Sequence, residues 1–188
     1  MNTLMRCCSW LAVCLVAAAP ASADTPFPEK LDAAGFQQIL VKSGDVFIAG
    51  QPTQPALERM REQGVTTVIN LRTHREMDNR NIVPFDEEAK VQTLGMRYVH
   101  IPLGGPDTPY TPEAVDRFAA ALAASEGKTL LHCTVAWRAS HLWTAYLVKH
   151  RNLSLPEAVR HGQAINFGEL PLQGFMGVPL TVATDEAE

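Results

Sequence analysis

The sequence has little cysteine, and what it has is unevenly placed. Three of its four cysteines, Cys7, Cys8 and Cys14, fall within residues 1–23, so Cys133 is the only thiol of the remaining chain. This excludes an internal disulfide in that part of the chain. A lone thiol in an oxidising compartment is exposed to oxidation, and its presence there favours a chemical role. A buried cysteine packed as a small apolar residue is the common alternative.

Apolar runs long enough to span a membrane are also missing. The N-terminal run CCSWLAVCLVAAA is too short for a comfortable span. It follows a single positive charge at Arg6 and precedes the small residues ASA at 21–23, which is the pattern of a secretory signal peptide. We therefore predict that residues 1–23 are removed and that the mature chain, 24–188, is exported across the inner membrane to the periplasm.

The sequence lacks both a long basic run and an excess of positive charge. The formal net charge is −4, and loss of Arg6 with the signal peptide would make it −5. Nucleic acid and anionic membrane surfaces are therefore not expected as partners. Residues 24–188 have the length of one ordinary domain with a core of its own, and they leave the oligomeric state open.

Short β-type runs alternate with helical patterns along the mature chain. This alternation predicts an α/β fold with a mostly parallel central sheet of about four to five strands flanked by helices. The predicted strands are DVFIAG, VTTVINL, RYVHIPL and KTLLHC. The predicted helices are PALERMREQ after the capping residue Thr53, PFDEEAKVQTL, EAVDRFAAALAAS, RASHLWTAYLVKH and SLPEAVRHGQAI.

Polar residues gather in the loops that follow these strands. In open α/β sheets, ligands bind outside the carboxyl ends of the strands. The loops predicted at that edge are GQPTQ, RTHRE, GGPDT and CTVAW. We therefore expect the functional site there.

The last predicted strand ends in a cysteine, and a helix beginning with an arginine follows after four residues, in the run HCTVAWR. Such a turn exposes backbone N–H groups, the helix N-terminus adds positive potential, and the guanidinium of Arg138 can bind two oxygens. The same field stabilises a thiolate at Cys133. The run therefore predicts an oxyanion pocket that also holds a nucleophile.

The run HCTVAWR resembles the signature loop of the cysteine-dependent protein tyrosine and dual-specificity phosphatases. The segments FIAGQPT, GVTTVINLRTHRE, AKVQTLGMRYVHIPL and the HC loop, in that order, are similar to the phosphatase-like domain of bacterial beta-lactamase-hydrolase-like proteins. The resemblance implies a phosphatase that hydrolyses phosphomonoesters through a phosphocysteine intermediate at Cys133. It implies no cofactor and no metal.

The resemblance also implies roles for the residues around the nucleophile. Arg138 and the loop residues would bind the phosphoryl oxygens, His132 would order the loop, and Arg72 would add positive potential for a substrate anion. The implied substrate-binding loop residues are Thr134, Val135, Ala136 and Trp137.

The loop departs from the tyrosine phosphatase pattern at three points. Four residues separate Cys133 from Arg138 where those enzymes have five, and four is the spacing of many rhodanese-type sulfurtransferases. Ala136 stands where related loops usually have glycine. Ala139 stands where a hydroxyl is expected, with Ser140 one residue later. Two alternatives follow: a sulfurtransferase using a Cys133 persulfide, and a catalytically weakened oxyanion-binding module.

A phosphatase also needs a proton donor for the leaving group. Asp107, in the loop GGPDTP, resembles the general acid of dual-specificity phosphatases, although turn chemistry beside Pro106 equally favours an aspartate there. Glu76 and Asp78 are the other acid candidates. The histidines on the predicted helices have no ligand spacing to a second soft donor, which argues against a metal site with Cys133.

Overall fold

The computed structural model describes residues 25–168 and 171–180. The predicted signal peptide lies outside these described residues. The strands are β1 Glu29–Lys30, β2 Leu40–Ser43, β3 Val46–Ala49, β4 Val65–Asn70, β5 Arg97–His100 and β6 Lys128–His132. The helices are α1 Gln54–Glu62, α2 His74–Asp78, α3 Glu87–Thr93, α4 Pro112–Ala123, α5 Trp137–Arg151, α6 Leu155–Gln163 and α7 Leu172–Met176.

The strands form one sheet in the order β1-β2-β3-β6-β4-β5. The neighbours β3, β6, β4 and β5 are all parallel, whereas β1 and β2 extend the sheet in antiparallel pairing at one edge. The fold is thus α/β with a mostly parallel sheet flanked by helices, which confirms the predicted class. β6 lies in the middle of the parallel part, so the segment after its last residue, His132, is surrounded by the ends of its neighbours.

Both faces of the sheet are buried. Successive side chains of a strand point to opposite faces, and the strands have apolar side chains on both. On one face Ile48, Ile69 and Leu131 pack under a cluster that includes buried residues of α4, α5, α6 and α7. On the other face Phe47, Val68 and Leu130 pack against residues of α1 and α3. Helices on both faces leave the carboxyl ends of the parallel strands as the open edge.

The helices begin where the sequence places capping residues. Thr53 caps α1 and Asp86 caps α3 through their side chains, and Ser154 forms a capping box with Glu157 at the start of α6. Such caps satisfy N–H groups that have no partner within the helix. The five helices predicted from sequence all form.

Four elements were not predicted: β1, β2, α2 and α7. The strand β2 is the four-residue run LVKS, which forms a strand by antiparallel pairing with β3. The helix α2 is a single turn held by a capping box between Thr73 and Glu76 inside the charged segment that was read as a loop. Across the described residues, no helix is both long and apolar enough to cross a membrane.

Candidate active site

Cys133 lies directly beyond the end of the central strand β6. The side chain is 1% exposed, and the backbone N–H faces the carbonyl oxygen of Ala49 at 3.4 Å. The next residues, Thr134 to Ala136, form a loop that leads straight into α5 at Trp137. Because Cys133 lies between the buried strand β6 and the short loop that leads into α5, its position is fixed from both sides.

The loop closes through a residue in the left-handed conformation, at the position where related loops usually have glycine. Ala136 is the residue before α5 and has φ 62° and ψ 4°. This is the conformation that glycine adopts without strain, and a residue with a Cβ adopts it at a cost of roughly 1–2 kcal/mol. Ala136 is fully buried. The protein therefore keeps the tight turn without the usual glycine and holds the strain by packing.

Two neighbouring segments brace the loop through its carbonyl oxygens. The backbone N–H of Gln51 donates to the oxygen of Thr134 at 2.9 Å, and the side chain of Asn166 donates to the oxygen of Val135 at 2.6 Å. These bonds turn both carbonyl dipoles toward the outer segments. The negative ends of these two carbonyl dipoles therefore do not offset the positive potential of the α5 N-terminus inside the loop.

Arg138, in the first turn of α5, is held in place by a carboxylate. Its Nη1 and Nη2 atoms each donate to one oxygen of Glu76 at 2.7 Å, and the two groups form a bidentate pair. Nη1 also donates to the carbonyl of Leu103 at 2.9 Å and Nη2 to the hydroxyl of Thr134 at 2.8 Å. The Nε–H donates to none of the described residues, so it is the N–H left for a substrate oxygen.

Glu76 is ionised in this arrangement. Burial by itself would raise its pKa, but hydrogen bonds from Arg138, from the backbone of Thr73 and from Thr134 outweigh that effect and lower the pKa to about 2. A group with so low a pKa carries no proton at neutral pH. Glu76 therefore does not fit the role of general acid, and its place is that of an anchor for Arg138.

Arg72 is buried beside this pair rather than open to the pocket. It is 1% exposed, its Nη1 donates to the side chain of Gln51 at 2.9 Å, and its Nε lies 3.3 Å from Glu76. Burial lowers its pKa from the ordinary value, and the carboxylates of Glu76 and Glu87 oppose that shift. Its predicted contact with substrate stays a prediction. In the structure its partners are protein side chains.

Asp107 lies on the exposed part of the loop between β5 and α4. The structure gives it no contact with Cys133 or Arg138, so its role as the acid stays a prediction. The base of the same loop does reach the site, because the carbonyl of Leu103 accepts from Arg138. Asp107 therefore lies four residues beyond a residue that contacts Arg138.

The structure adds Tyr110 to this loop as a residue that sequence reasoning missed. A Cβ placed on Gly104 would lie 3.4 Å from the Tyr110 hydroxyl and 3.8 Å from Nη1 of Arg138, so both groups converge on this glycine. Burial raises the pKa of Tyr110, as do the charges of Cys133 and Glu76, while Arg138 opposes the shift. Its phenol is therefore protonated at neutral pH and faces the charged groups of the site.

Ser140 does not replace the hydroxyl missing at Ala139. Its Oγ lies 2.8 Å from the carbonyl oxygens of both Trp137 and Asn166, and it is fully buried. Trp137, predicted to contact substrate, has its indole edge-on against the ring of His141 at 5.0 Å and stays a prediction in that role. No group of three metal-ligating side chains occurs among the described residues.

The residues that form this site lie within a segment that matches a family of known proteins. Residues 35–175 match the family described as a DSP-PTPase phosphatase fused to NAD+ kinase. The chain belongs to this family. Residues 35–175 accordingly form a domain of the cysteine-dependent phosphatase type.

Relatives of this DSP-PTPase chain include the beta-lactamase hydrolase-like proteins of Xylella fastidiosa strains Temecula1 and 9a5c. Each is 30% identical over 122 residues, which are 64% of this chain and 27% of the relative. The chain thus spans about a quarter of the length of these relatives. This confirms the resemblance drawn from the sequence segments, for the phosphatase-like part alone.

Solved structures agree with the fold. A DUF442 phosphatase-family protein of Shewanella putrefaciens CN-32 is 27% identical with a TM-score of 0.59, over 77% of this chain and 91% of that one. TpbA of P. aeruginosa, solved as a cysteine-to-serine variant with phosphotyrosine, has a TM-score of 0.55 at 15% identity, over 77% of this chain and 79% of TpbA. At that identity the second likeness shows the fold alone.

The DSP-PTPase site of this chain also contains a buried polar cluster that the sequence analysis missed. Glu87, the first residue of α3, accepts a hydrogen bond from the Nε2 of His132 at 2.9 Å, directly behind Cys133. Its sequence position looks like an ordinary first-turn acid, so no signal separated it from its exposed neighbour Glu88. Asn70 did give a signal, because it is a polar residue that directly follows the apolar pair Val68 and Ile69 at the end of β4.

Proposed function

We propose that this protein is an exported phosphatase that hydrolyses phosphomonoesters, of the protein tyrosine and dual-specificity type, through a phosphocysteine intermediate at Cys133. The observation that carries the proposal is the placement of Cys133 just before a short loop and of Arg138 in the first turn of α5, into which that loop leads. The bidentate bonds from Arg138 to Glu76 support it further. They hold the guanidinium fixed before substrate arrives, which is what electrostatic stabilisation of a phosphoryl group requires.

In the first step, the thiolate of Cys133 attacks phosphorus. The P–S bond forms, and the bond from phosphorus to the ester oxygen breaks with its electron pair leaving on that oxygen. The positive end of α5 and the Nε–H of Arg138 stabilise the phosphoryl oxygens, with Thr134 to Trp137 forming the wall of the pocket. His132 and Arg72 support the loop from the protein side.

The departing oxygen takes a proton, and we assign its delivery to Asp107. The loop of Asp107 is attached to Arg138 through Leu103 and can bring the carboxyl group to the pocket when substrate binds. In the second step water attacks the phosphocysteine and gives a proton to the Asp107 carboxylate, the P–S bond breaks, and the sulfur leaves as thiolate. Phosphate is released, and the enzyme returns to its starting state without a cofactor.

The four-residue loop leaves sulfur transfer as the competing chemistry. A sulfurtransferase would carry a persulfide on Cys133 and form thiocyanate from thiosulfate and cyanide. Membership of a phosphatase family favours phosphoryl chemistry. The two activities are separable in one preparation by assaying both substrates.

The test of the activity is hydrolysis of para-nitrophenyl phosphate by the purified protein with a chelator present. Wild type should turn over, Cys133→Ser should not, and vanadate should compete with the substrate. Hydrolysis that survives Cys133→Ser, or that requires an added metal, would contradict the proposal. Export is tested separately by fractionating cells that express the full chain, where the periplasmic fraction should contain protein beginning at residue 24.

A further inference from the structure

A single buried carboxylate connects residues at or near the ends of the four parallel strands. Glu87 is 2% exposed and accepts from His132 at 2.9 Å, from the Nδ2 of Asn70 at 2.9 Å and from the Nε2 of Gln51 at 2.5 Å. Asn70 in turn donates to the hydroxyl of Tyr98 at 2.8 Å. These residues come from the last positions of β6 and β4, from within β5 and from the loop after β3. Behind the signature loop, the sheet edge is therefore organised around one side chain.

The bonding pattern fixes the charge state of Glu87. Its partners point donors at it, and a protonated carboxyl would need an acceptor for its own hydrogen. Burial by itself would raise the pKa of Glu87, but the interaction with His132 and the hydrogen bonds from His132, Gln51 and Asn70 outweigh it and lower that pKa. Glu87 is therefore a buried carboxylate whose negative charge orients its neighbours.

Two of those neighbours are amides, and an amide has a donor end and an acceptor end. Since Glu87 takes the NH2 group of Gln51, the Oε1 of Gln51 faces away and accepts from Arg72 Nη1 at 2.9 Å. Since Glu87 takes the NH2 group of Asn70, the Oδ1 of Asn70 accepts from the backbone N–H of Arg72 at 2.7 Å. The orientation of both amides, and with it the position of Arg72, follows from the charge on Glu87.

Arg72 passes this orientation to the catalytic arginine. Its Nε lies 3.3 Å from Oε1 of Glu76, the same oxygen that accepts from Arg138 Nη2 at 2.7 Å. The chain of contacts from Glu87 through Gln51, Arg72 and Glu76 to Arg138 is continuous. Because Arg72 is 1% exposed, water is not at hand to replace a lost partner.

We propose that Glu87 is a positioning residue, which sets the orientation of Arg72 through the amides of Gln51 and Asn70 and thereby holds Glu76 and Arg138 in the geometry that binds the phosphoryl group. The proposal rests on the proposed function for its effect on activity. Its structural part, the control of Arg72 by Glu87, stands without it.

The first measurement is the side-chain Nε–H signal of Arg72 in a ¹⁵N NMR spectrum of the full protein, assigned by its loss in Arg72→Lys. Glu87→Gln keeps the volume of the side chain but puts an NH2 group where only acceptors fit. Gln51 then turns over and removes its acceptor from Arg72, so the Arg72 signal should shift or broaden. Glu88→Gln is the matched control, because Glu88 is the next residue of α3 and is exposed. Its spectrum should keep the Arg72 signal unchanged.

The second measurement uses tungstate as a phosphate analogue, with its binding followed by calorimetry. We expect Glu87→Gln to weaken tungstate binding and to lower kcat/KM about tenfold or more, the effect that hydrogen-bond partners of metal ligands typically have on metal affinity or activity. Glu88→Gln should change neither. The effect should fall on the binding of the oxyanion as well as on turnover, because Arg138 acts in both.

A double variant separates positioning from general support of the fold. Gln51→Glu combined with Glu87→Gln keeps one carboxylate and one amide in the same space, and Arg72 again faces an acceptor. It should restore the Arg72 signal and most of the tungstate affinity. This variant also carries the test if Glu87→Gln alone does not fold.

The outcomes distinguish the two proposals. An Arg72 signal that is unchanged in Glu87→Gln, or a double variant that folds without restoring it, overturns the positioning role whatever the activity. A wild type that neither hydrolyses para-nitrophenyl phosphate nor binds tungstate contradicts the proposed function instead, while the NMR result still decides whether Glu87 controls Arg72.

Discussion

Replacing Glu76 by glutamine should lower the free energy of unfolding of the protein. The pKa of Glu76 is lowered from 4.5 to about 2 by its hydrogen bonds to Arg138, Thr73 and Thr134, against the opposing effect of burial. A shift of this size corresponds to roughly 3 kcal/mol of favourable interaction with the ionised form. Glu76→Gln keeps the shape and one acceptor, so this figure is an upper bound on its effect at neutral pH.

The sign of the pH dependence follows from the direction of the shift. Because the pKa of Glu76 is lower in the folded protein, its contribution is fully present above the ordinary value of 4.5 and is lost as pH falls toward about 2. The gap between wild type and Glu76→Gln should therefore be widest at neutral pH. It should shrink as the solution is acidified through this window.

Urea unfolding followed by circular dichroism measures this gap at each pH. Glu88→Gln, an exposed glutamate on α3, serves as the matched control and should follow wild type throughout. The reasoning is refuted if wild type and Glu76→Gln lose stability in parallel between neutral pH and pH 2. It is equally refuted if Glu76→Gln is as stable as wild type at neutral pH.

Three further substitutions test other parts of the site. Arg138→Lys should lower kcat/KM by about 100-fold, because lysine cannot form the bidentate pair with Glu76. The control Arg160→Lys, on the exposed face of α6, should leave turnover unchanged, and similar rates in the two variants would contradict this. Ala136→Val should cost about 2 kcal/mol or more in urea unfolding, since a β-branched residue is an outlier at positive φ, while Ala136→Gly should change stability by less than about 1 kcal/mol; a valine variant of wild-type stability would show that the turn is not strained. Asn166→Ala should cost about 1 kcal/mol and lower turnover by releasing the carbonyl of Val135, and an unchanged melting temperature would show that this bond does not brace the loop.

The fold was predictable in its central part and not at its edges. The strand β3 is a continuous apolar run, and β4 and β6 carry buried β-branched and leucine side chains, as expected for strands covered on both faces. The pair β1 and β2 is short and mixed in polarity, so it exists through its pairing with β3 rather than through a pattern of its own. The α2 turn did carry a signal, the Thr73 to Glu76 capping box, but lay in a segment read as a charged loop.

For the site, the sequence predicted the loop that holds Cys133 and Arg138 but not the carboxylates that hold this loop and Arg138 in place. The positions of Cys133 and Arg138 followed from the strand, the spacing and the resemblance, and the strained position was identified as Ala136. The anchor role of Glu76 could not be read from the sequence, because the contact with Arg138 joins residues 62 positions apart. Glu87 is similarly 45 positions from His132. Such pairs become visible only when the sheet order brings the strand ends together.

The most direct test of the central claim is to look for the phosphoryl group on Cys133 itself. The full protein is mixed with para-nitrophenyl phosphate, quenched during turnover, digested, and the peptide that contains Cys133 is examined by mass spectrometry. The account predicts a phosphoryl adduct on Cys133 in wild type and no adduct, with no turnover, in Cys133→Ser. Steady hydrolysis with no adduct on Cys133, or hydrolysis by Cys133→Ser at the wild-type rate, would contradict it.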